Sequence, residues 1–223
     1  MSATNSSSTL EKAIALLWEL YAEPDGLTAS ELARRIDIHR TGFYRLIRPF
    51  LRTQFVRRDD RRRYYLGFGI TALARAVAQP IEGLIAAPIQ ALANKTNVSV
   101  IVVTDTDGIL VTISSAKPET PGMHVTVPPG YVHNDNPVAN LAVRSLRPPS
   151  PEDSADLRKV REQGFASNRS GGIATVIAVP MRLQIVGGET CLLLSSAEPF
   201  DIDAVFSAMV ETRESILTGI NRT

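Results

Sequence analysis

The chain carries little equipment for covalent or metal chemistry. One cysteine, Cys191, among 223 residues excludes an internal disulfide and any cysteine-cluster zinc site. Set in Glu189-Thr190-Cys191-Leu192-Leu193, it reads as a small buried hydrophobe rather than a redox switch. The three histidines are His39, His124 and His133. A pair made by His124 and His133 with Asp135 is the only metal alternative to structural roles, and neither a metal nor a cofactor is expected. Gly171-Gly172 precedes a strand-like run instead of joining a strand to a helix, so it does not match a phosphate loop. No acid–base cluster suggests an enzyme. Apolar runs stay short of membrane-spanning length, and the first residues lack a signal peptide's basic-then-apolar pattern. The expectation is a soluble, cytoplasmic protein with no membrane partner, opening on a small polar tail, Met1 to Ser7.

What the chain has in excess is arginine, in one place. Between residues 34 and 63 stand eleven arginines against three acids, Asp37, Asp59 and Asp60, in a protein whose formal net charge is +1. Residues 1–79 carry 13 basic and 8 acidic side chains, residues 80–223 carry 11 and 15. Folding gives no reason to crowd positive charge this way, and double-stranded DNA is the first candidate partner. The split also divides the labour: one part meets nucleic acid, another does something else.

Helical and hairpin signals place those arginines. Ser8-Thr9-Leu10-Glu11 fits a capping box. The stripe Leu10, Ile14, Leu17, Trp18 and Tyr21 follows, and Pro24-Asp25-Gly26 ends the helix. Thr28-Ala29-Ser30-Glu31 is a second capping box opening a short helix, with Leu27, Leu32 and Ile36 facing a core. After a turn at Asp37-Ile38-His39, a helix over about Arg40–Arg52 sets Phe43, Leu46, Ile47, Phe50 and Leu51 on one face. Its other face carries Arg40, Thr41, Tyr44, Arg45, Arg48 and Arg52, the pattern of a major-groove recognition helix, and Pro49 is expected to kink or shorten it. Gln54–Arg58 and Arg62–Leu66 form a hairpin about Asp59-Asp60-Arg61. This is a wing whose Arg57, Arg58, Arg61, Arg62 and Arg63 meet phosphates or a minor groove. Base readout falls to Arg40, Thr41, Tyr44 and Arg45.

Ile70–Ala78 reads as a small-residue helix broken at Gln79-Pro80, and Ile81–Lys95 as a second helical stretch interrupted by Pro88. Strands are expected at Val98–Thr104, Gly108–Ser115, Met123–Val127, Ile173–Leu183 and Thr190–Ser195. Helices are expected at Pro137–Leu146, Ser154–Gln163 and Asp201–Ile220. The order is α+β, a sheet covered by helices.

Thr9-Leu10-Glu11-Lys12-Ala13, Leu27 through Arg35, Phe43-Tyr44-Arg45-Leu46-Ile47 and Arg63-Tyr64-Tyr65-Leu66-Gly67 resemble the IclR family of bacterial transcriptional regulators. The resemblance runs more weakly through Val160–Phe165 and Ile177–Pro180. It implies a winged helix-turn-helix over residues 1–68, a linker helix over 69–80, and a GAF-like effector-binding domain over 81–223. It also implies a homodimer or homotetramer, acting as a repressor under control of a small organic acid or aromatic metabolite. Leu10, Ile14 and Leu17, with Ile70–Ala78, are the surfaces expected to meet a second copy. Position by position, the resemblance puts the effector at Val138 and Ala139, Asn168, Thr175 and Ser195, with Asp135 and Asn136 beside them. This chain departs from the family at several points. Asp37 stands where a turn glycine is usual, Gly42 and Pro49 lie inside the recognition helix, and Asp135-Asn136-Pro137-Val138 replaces a His-Ala-Ser/Thr-Gly/Ala run. Asn168 and Thr175 replace Asp and Cys, and the segment between Leu146 and Val160 is a helix short, which would reshape the cavity. Two other readings stay open: an enzyme acting on a metabolite with a DNA-targeting module, and a DNA-binding protein that needs no ligand.

Overall fold

The computed structural model describes residues 9–169, 175–183 and 187–220. Ser8 as a cap, the Met1–Ser7 tail, Gly171-Gly172 and the first two residues expected for the Ile173 strand lie outside them. Two compact units divide at Val77 and Ala78.

The first unit is built as α1 Thr9–Ala22, β1 Leu27–Thr28, α2 Ala29–Arg35, α3 Arg40–Arg52, β2 Val56–Arg58 and β3 Arg63–Leu66. Its core is Leu16, Leu20, Leu27, Leu32, Ile36, Phe43, Ile47, Val56 and Tyr64. Thr28 caps α2 as the sequence suggests: its hydroxyl accepts from Glu31 N–H, and Glu31 accepts from Thr28 N–H at 2.7 Å. On α1 the buried residues are Ala13, Leu16 and Leu20, whereas Leu10, Ile14, Trp18 and Tyr21 face outward. The apolar stripe read from the sequence is therefore mostly not the core face. Pro49 does not shorten α3, which runs on to Arg52; the proline ring is exposed, so water can take up the Arg45 carbonyl that loses its N–H partner.

β1, β3 and β2 make one antiparallel sheet in that order. Beyond it the chain turns sharply. Gly67 N–H donates to Phe55 O and Gly69 N–H to Gln54 O, each at 2.8 Å. A Cβ on Gly67 would stand 2.2 Å from Gln54 O, so no side chain fits there.

Helix α4 spans Gly69–Thr96 without interruption. This corrects the expected break at Pro80 and interruption at Pro88. Both prolines remain inside the helix; the Ala76 carbonyl freed by Pro80 lies on an exposed stretch, where hydration replaces the lost bond. By length and composition α4 is the one described helix that could cross a bilayer. Its Ile81, Ile85, Ile89, Leu92 and Ala93, however, are built into the core of the second unit.

That unit follows as β4 Ser99–Thr106, β5 Ile109–Ala116, β6 Val132–His133, α5 Pro137–Ser145, α6 Ala155–Gln163, β7 Ala166–Arg169, β8 Thr175–Leu183, β9 Gly188–Ser196 and α7 Ile202–Ile220. The strands form one antiparallel sheet, β6-β5-β4-β9-β8-β7. Alternate residues serve opposite faces. Val100, Val102, Ile177, Val179, Leu192 and Leu194 pack with α4 and α7. Ile101, Val103, Ala178, Cys191 and Leu193 pack with α5 and α6. One expected strand of this unit is absent, and β6 and β7 were not expected. Met123–Val127 is not a strand: Pro121-Gly122 and Pro128-Pro129 bracket it, and Met123 is exposed. The edge strand β7 gives no alternation signal in its four residues.

Candidate functional site

The arginine face is assembled by α3 and the wing. Arg40, Thr41, Tyr44, Arg45 and Arg48 are all exposed on α3, while Phe43 and Ile47 on its opposite side hold it to the core. Edge contacts of Phe43 with Tyr64, at 5.4 Å between ring centres, and with Tyr44, at 5.6 Å, fix the helix against β3. The turn before α3 places Asp37 at φ 51°, in the left-handed region, and its carbonyl accepts from Lys12 Nζ at 2.6 Å. Among the described residues, Arg40, Arg45, Arg48, Arg57, Arg58, Arg61 and Arg62 form no ion pair. Exposed guanidinium groups gathered on one small unit without carboxylate partners are free to meet an external polyanion.

Two arginines of the run do structural work. Arg35 bridges Glu19 at 3.0 Å and Glu23 at 2.7 Å on α1. Arg63, expected among the DNA contacts, donates from Nη1 to Gly26 O at 2.6 Å and is half-buried. Its guanidinium ties the wing to the turn after α1.

Asp59 organises the wing tip, a role the sequence reading did not assign. Its carboxylate accepts from Arg63 N–H at 2.8 Å and from Tyr65 O–H at 2.9 Å, and Arg62 N–H closes the turn onto Asp59 O at 3.1 Å. Arg62 takes φ 63°. The Arg63 N–H bond, with the Tyr65 hydroxyl adding to it, holds the Asp59 carboxyl below its ordinary range, and the Tyr65 bond to Asp59 raises the phenol. Arg57 lies over the Tyr65 ring at 4.3 Å, so its charge is aimed while remaining exposed. The signal available beforehand was an Asp opening a turn, where its side chain caps backbone N–H groups.

The effector positions scatter more. Asn136 caps α5, its Oδ1 accepting from Ala139 N–H at 3.0 Å. Val138 and Ala139 are buried in the core beneath α5. Asn168 and Ser195 both pair with Val176 across the sheet, Asn168 on β7 and Ser195 on β9, so the three side chains share the face covered by α5 and α6. Thr175 is one residue out of step: it pairs with Ser196 and points to the opposite face. Three cavities touch the expected residues. One of about 720 Å³ includes Val138 and Asn168 with Asp156, Lys159 and Asp201; Asp201 is engaged in capping α7 through Asp203 N–H. One of about 310 Å³ contains Asn136 and Ser195. The third, about 370 Å³, contains Asp135 and Asn136. Thr175 lines none of these three. The sequence reading missed Tyr131 and Val176, which line the second cavity, and gave His133, another of its lining residues, only a structural or metal role.

His133 stands at the junction of the two smaller cavities. Its Nε2 is 2.8 Å from Thr112 Oγ1 and its ring meets Tyr131 edge-on at 5.0 Å. Burial lowers its pKa from 6.5, which leaves the imidazole neutral at pH 7. Among the described residues no cluster of three His, Cys, Asp or Glu could hold a metal. Cys191 is buried, its thiol pushed up by burial to about 12.

The first unit is thus a winged helix-turn-helix, and the second a helix-covered antiparallel sheet with cavities on one face. Residues 9–60 match the IclR helix-turn-helix domain. Solved structures share the fold over nearly the whole chain. The IclR transcriptional regulator of Alicyclobacillus acidocaldarius is 21% identical with a TM-score of 0.75, over 95% of this chain and 96% of that one. The Thermotoga maritima IclR is 18% identical with a TM-score of 0.65, over 93% and 96%. An IclR homolog from Microbacterium hydrocarbonoxydans complexed with 4-hydroxybenzoate is 14% identical with a TM-score of 0.78, over 97% and 100%. Among curated proteins none matches. The first unit is thus similar to the IclR helix-turn-helix domain over residues 9–60, and the chain shares the fold of the solved IclR regulators.

Proposed function

We propose that the protein is a cytoplasmic transcriptional regulator, a repressor that binds double-stranded DNA as a homodimer or homotetramer and responds to a small organic effector in its C-terminal unit. The observation that carries this reading is the unpaired arginine face of α3 and the wing. In this reading Arg40, Thr41, Tyr44 and Arg45 read base edges, and Arg48, Arg57, Arg58, Arg61 and Arg62 neutralise phosphates. A second copy would cover Leu10, Ile14 and Trp18 on α1, and Leu73 and Val77 on α4, which are 49% to 70% exposed; a palindromic site then doubles the base contacts. Effector control draws support from the cavities around Asn136 and Ser195, and from the relative that holds 4-hydroxybenzoate.

Fluorescence anisotropy on genomic fragments tests the DNA half. Neutralising about six phosphates gives a log–log salt slope of roughly −5, a loss of about a thousandfold between 50 and 200 mM salt. A flat salt response removes the basis of the reading. Sedimentation tests the assembly, where a strict monomer at micromolar concentration with and without DNA excludes it. Transcription from a bound promoter, measured with and without the protein, separates repression from activation.

A further inference from the structure

The cavity of about 310 Å³ on the α5 face has a composition that selects its ligand. Ile101, Val127, Val176 and Leu193 give it apolar walls, and Ser195, Thr126, Tyr131, His133 and Asn136 supply its hydrogen-bonding groups. Among the described residues no Lys, Arg, Asp or Glu lines it. The adjoining cavity shares His133 and Asn136 with it, and the one full charge among its lining residues is the carboxylate of Asp135. An anion bound here would therefore give up hydration, find no cation among the described lining residues, and lie next to a carboxylate. A second observation marks the same end of the sheet as short of polar partners. Ser99 pairs with Ser195 across β4 and β9, so the two hydroxyls share this face, and Ser99 Oγ is buried without a hydrogen-bond partner among the described residues. Burial of His133, with Nε2 engaged by Thr112, removes the remaining source of positive charge near pH 7.

We infer that this cavity takes an uncharged, largely apolar molecule of single-ring size bearing hydroxyl, carbonyl or amide groups, and that it discriminates against carboxylates. The size follows from volume: a cavity of roughly 150 Å³ accommodates benzene, and about 310 Å³ leaves room for substituents. The selectivity follows from the lining, since apolar walls with a few neutral polar groups favour uncharged ligands. The inference rests on the reading of the second unit as an effector-binding domain and narrows the ligand from organic acids to their neutral counterparts.

The test compares 4-hydroxybenzamide with 4-hydroxybenzoate on the full-length protein at pH 7.5, by thermal shift and by DNA titration. The two share ring, hydroxyl and size and differ in charge. The amide should stabilise the protein at concentrations at least tenfold below those at which the acid does. Ser195→Ala should remove most of that stabilisation, and so should Val176→Leu, which fills the cavity from the next strand; the second variant serves if the first fails to fold. Asp135→Asn should narrow the gap by improving the acid. Equal or better stabilisation by the acid, no shift with the amide, or an amide shift untouched by Ser195→Ala and Val176→Leu overturns the inference. If the acid wins and also changes DNA affinity, effector control stands and only the ligand class falls. If the amide binds in the cavity while DNA affinity stays fixed, the ligand class stands and effector control falls.

Discussion

The two units treat their arginines in opposite ways. In the first, Arg40, Arg45, Arg48, Arg52, Arg57, Arg58, Arg61 and Arg62 stand exposed on α3 and the wing without ion pairs among the described residues. In the second, Arg147 pairs with Asp105 at 2.7 Å and Glu189 at 3.3 Å, Arg161 pairs with Asp153 and bonds Ser145 O, and Arg182 bonds Leu146 O. Asp105 is almost wholly buried, so removing Arg147 would strand a charge. Those arginines anchor the segment between α5 and α6. An arginine tied to a carboxylate or a carbonyl holds the fold together, as Arg35 and Arg63 do within the basic run; one without such a tie is available to an external partner.

The sharpest way to break that contrast is to damage one unit alone. Gly67→Ala forces a Cβ against Gln54 O and should cost about 1–3 kcal/mol of stability in the first unit, read by urea unfolding. DNA binding should weaken with it, while near-native amide protection persists in β4, β8 and β9. Loss of protection in both units together would mean that they do not fold independently.

Arg45→Ala should lower affinity for the cognate site by about 1–3 kcal/mol and relax specificity. Arg62→Ala should weaken all DNA alike and make the salt slope shallower by about 0.9. Equal loss on cognate and random DNA with Arg45→Ala would show that α3 does not read bases.

Asp59→Ala sharpens the distinction between charge and placement. Removing an acid from a basic face should tighten DNA binding if only net charge counts. Because Asp59 holds Arg63 N–H and Tyr65 O–H, the expected result is the reverse: weaker binding, by about 1 kcal/mol. Tighter binding in competition titrations would assign the wing tip no fixed geometry.

The smallest effect belongs to the second unit. His133 has a folded pKa below its ordinary 6.5, so the unfolded chain binds the proton more readily. Its contribution is fully present above pH 6.5 and is lost as pH falls through 6.5 toward the lower folded value. His133→Gln should flatten that part of the stability profile between pH 7 and 5; an unchanged slope there would give His133 no share in it.

Much of this was legible beforehand, for local reasons. The Thr28–Glu31 capping box, the 3.6-residue apolar spacing of α3 and the Asp-Asp-Arg turn each state their structure within a few residues. What stayed hidden depends on distant partners. The inward turn of Arg63 needs Gly26, thirty-seven positions away. The opposite facing of Thr175 and Ser195 depends on register, where a single-residue step reverses the side. Continuity of α4 through Pro80 and Pro88 overrides a local breaker because the isoleucines after Pro80 gain a core. β7 becomes a strand only because β8 offers it an edge.

Thr28 belongs to two structures at once: it pairs with Arg63 in the wing sheet and caps α2. The wing is therefore stitched to the helix-turn-helix through backbone, capping and guanidinium bonds rather than hanging from it as a loop. Its backbone is held in place before any partner arrives, so in the proposed DNA complex association would demand little backbone entropy from the wing. Calorimetry should then find a heat-capacity change no larger than the buried contact surface requires, without the excess that marks folding coupled to binding.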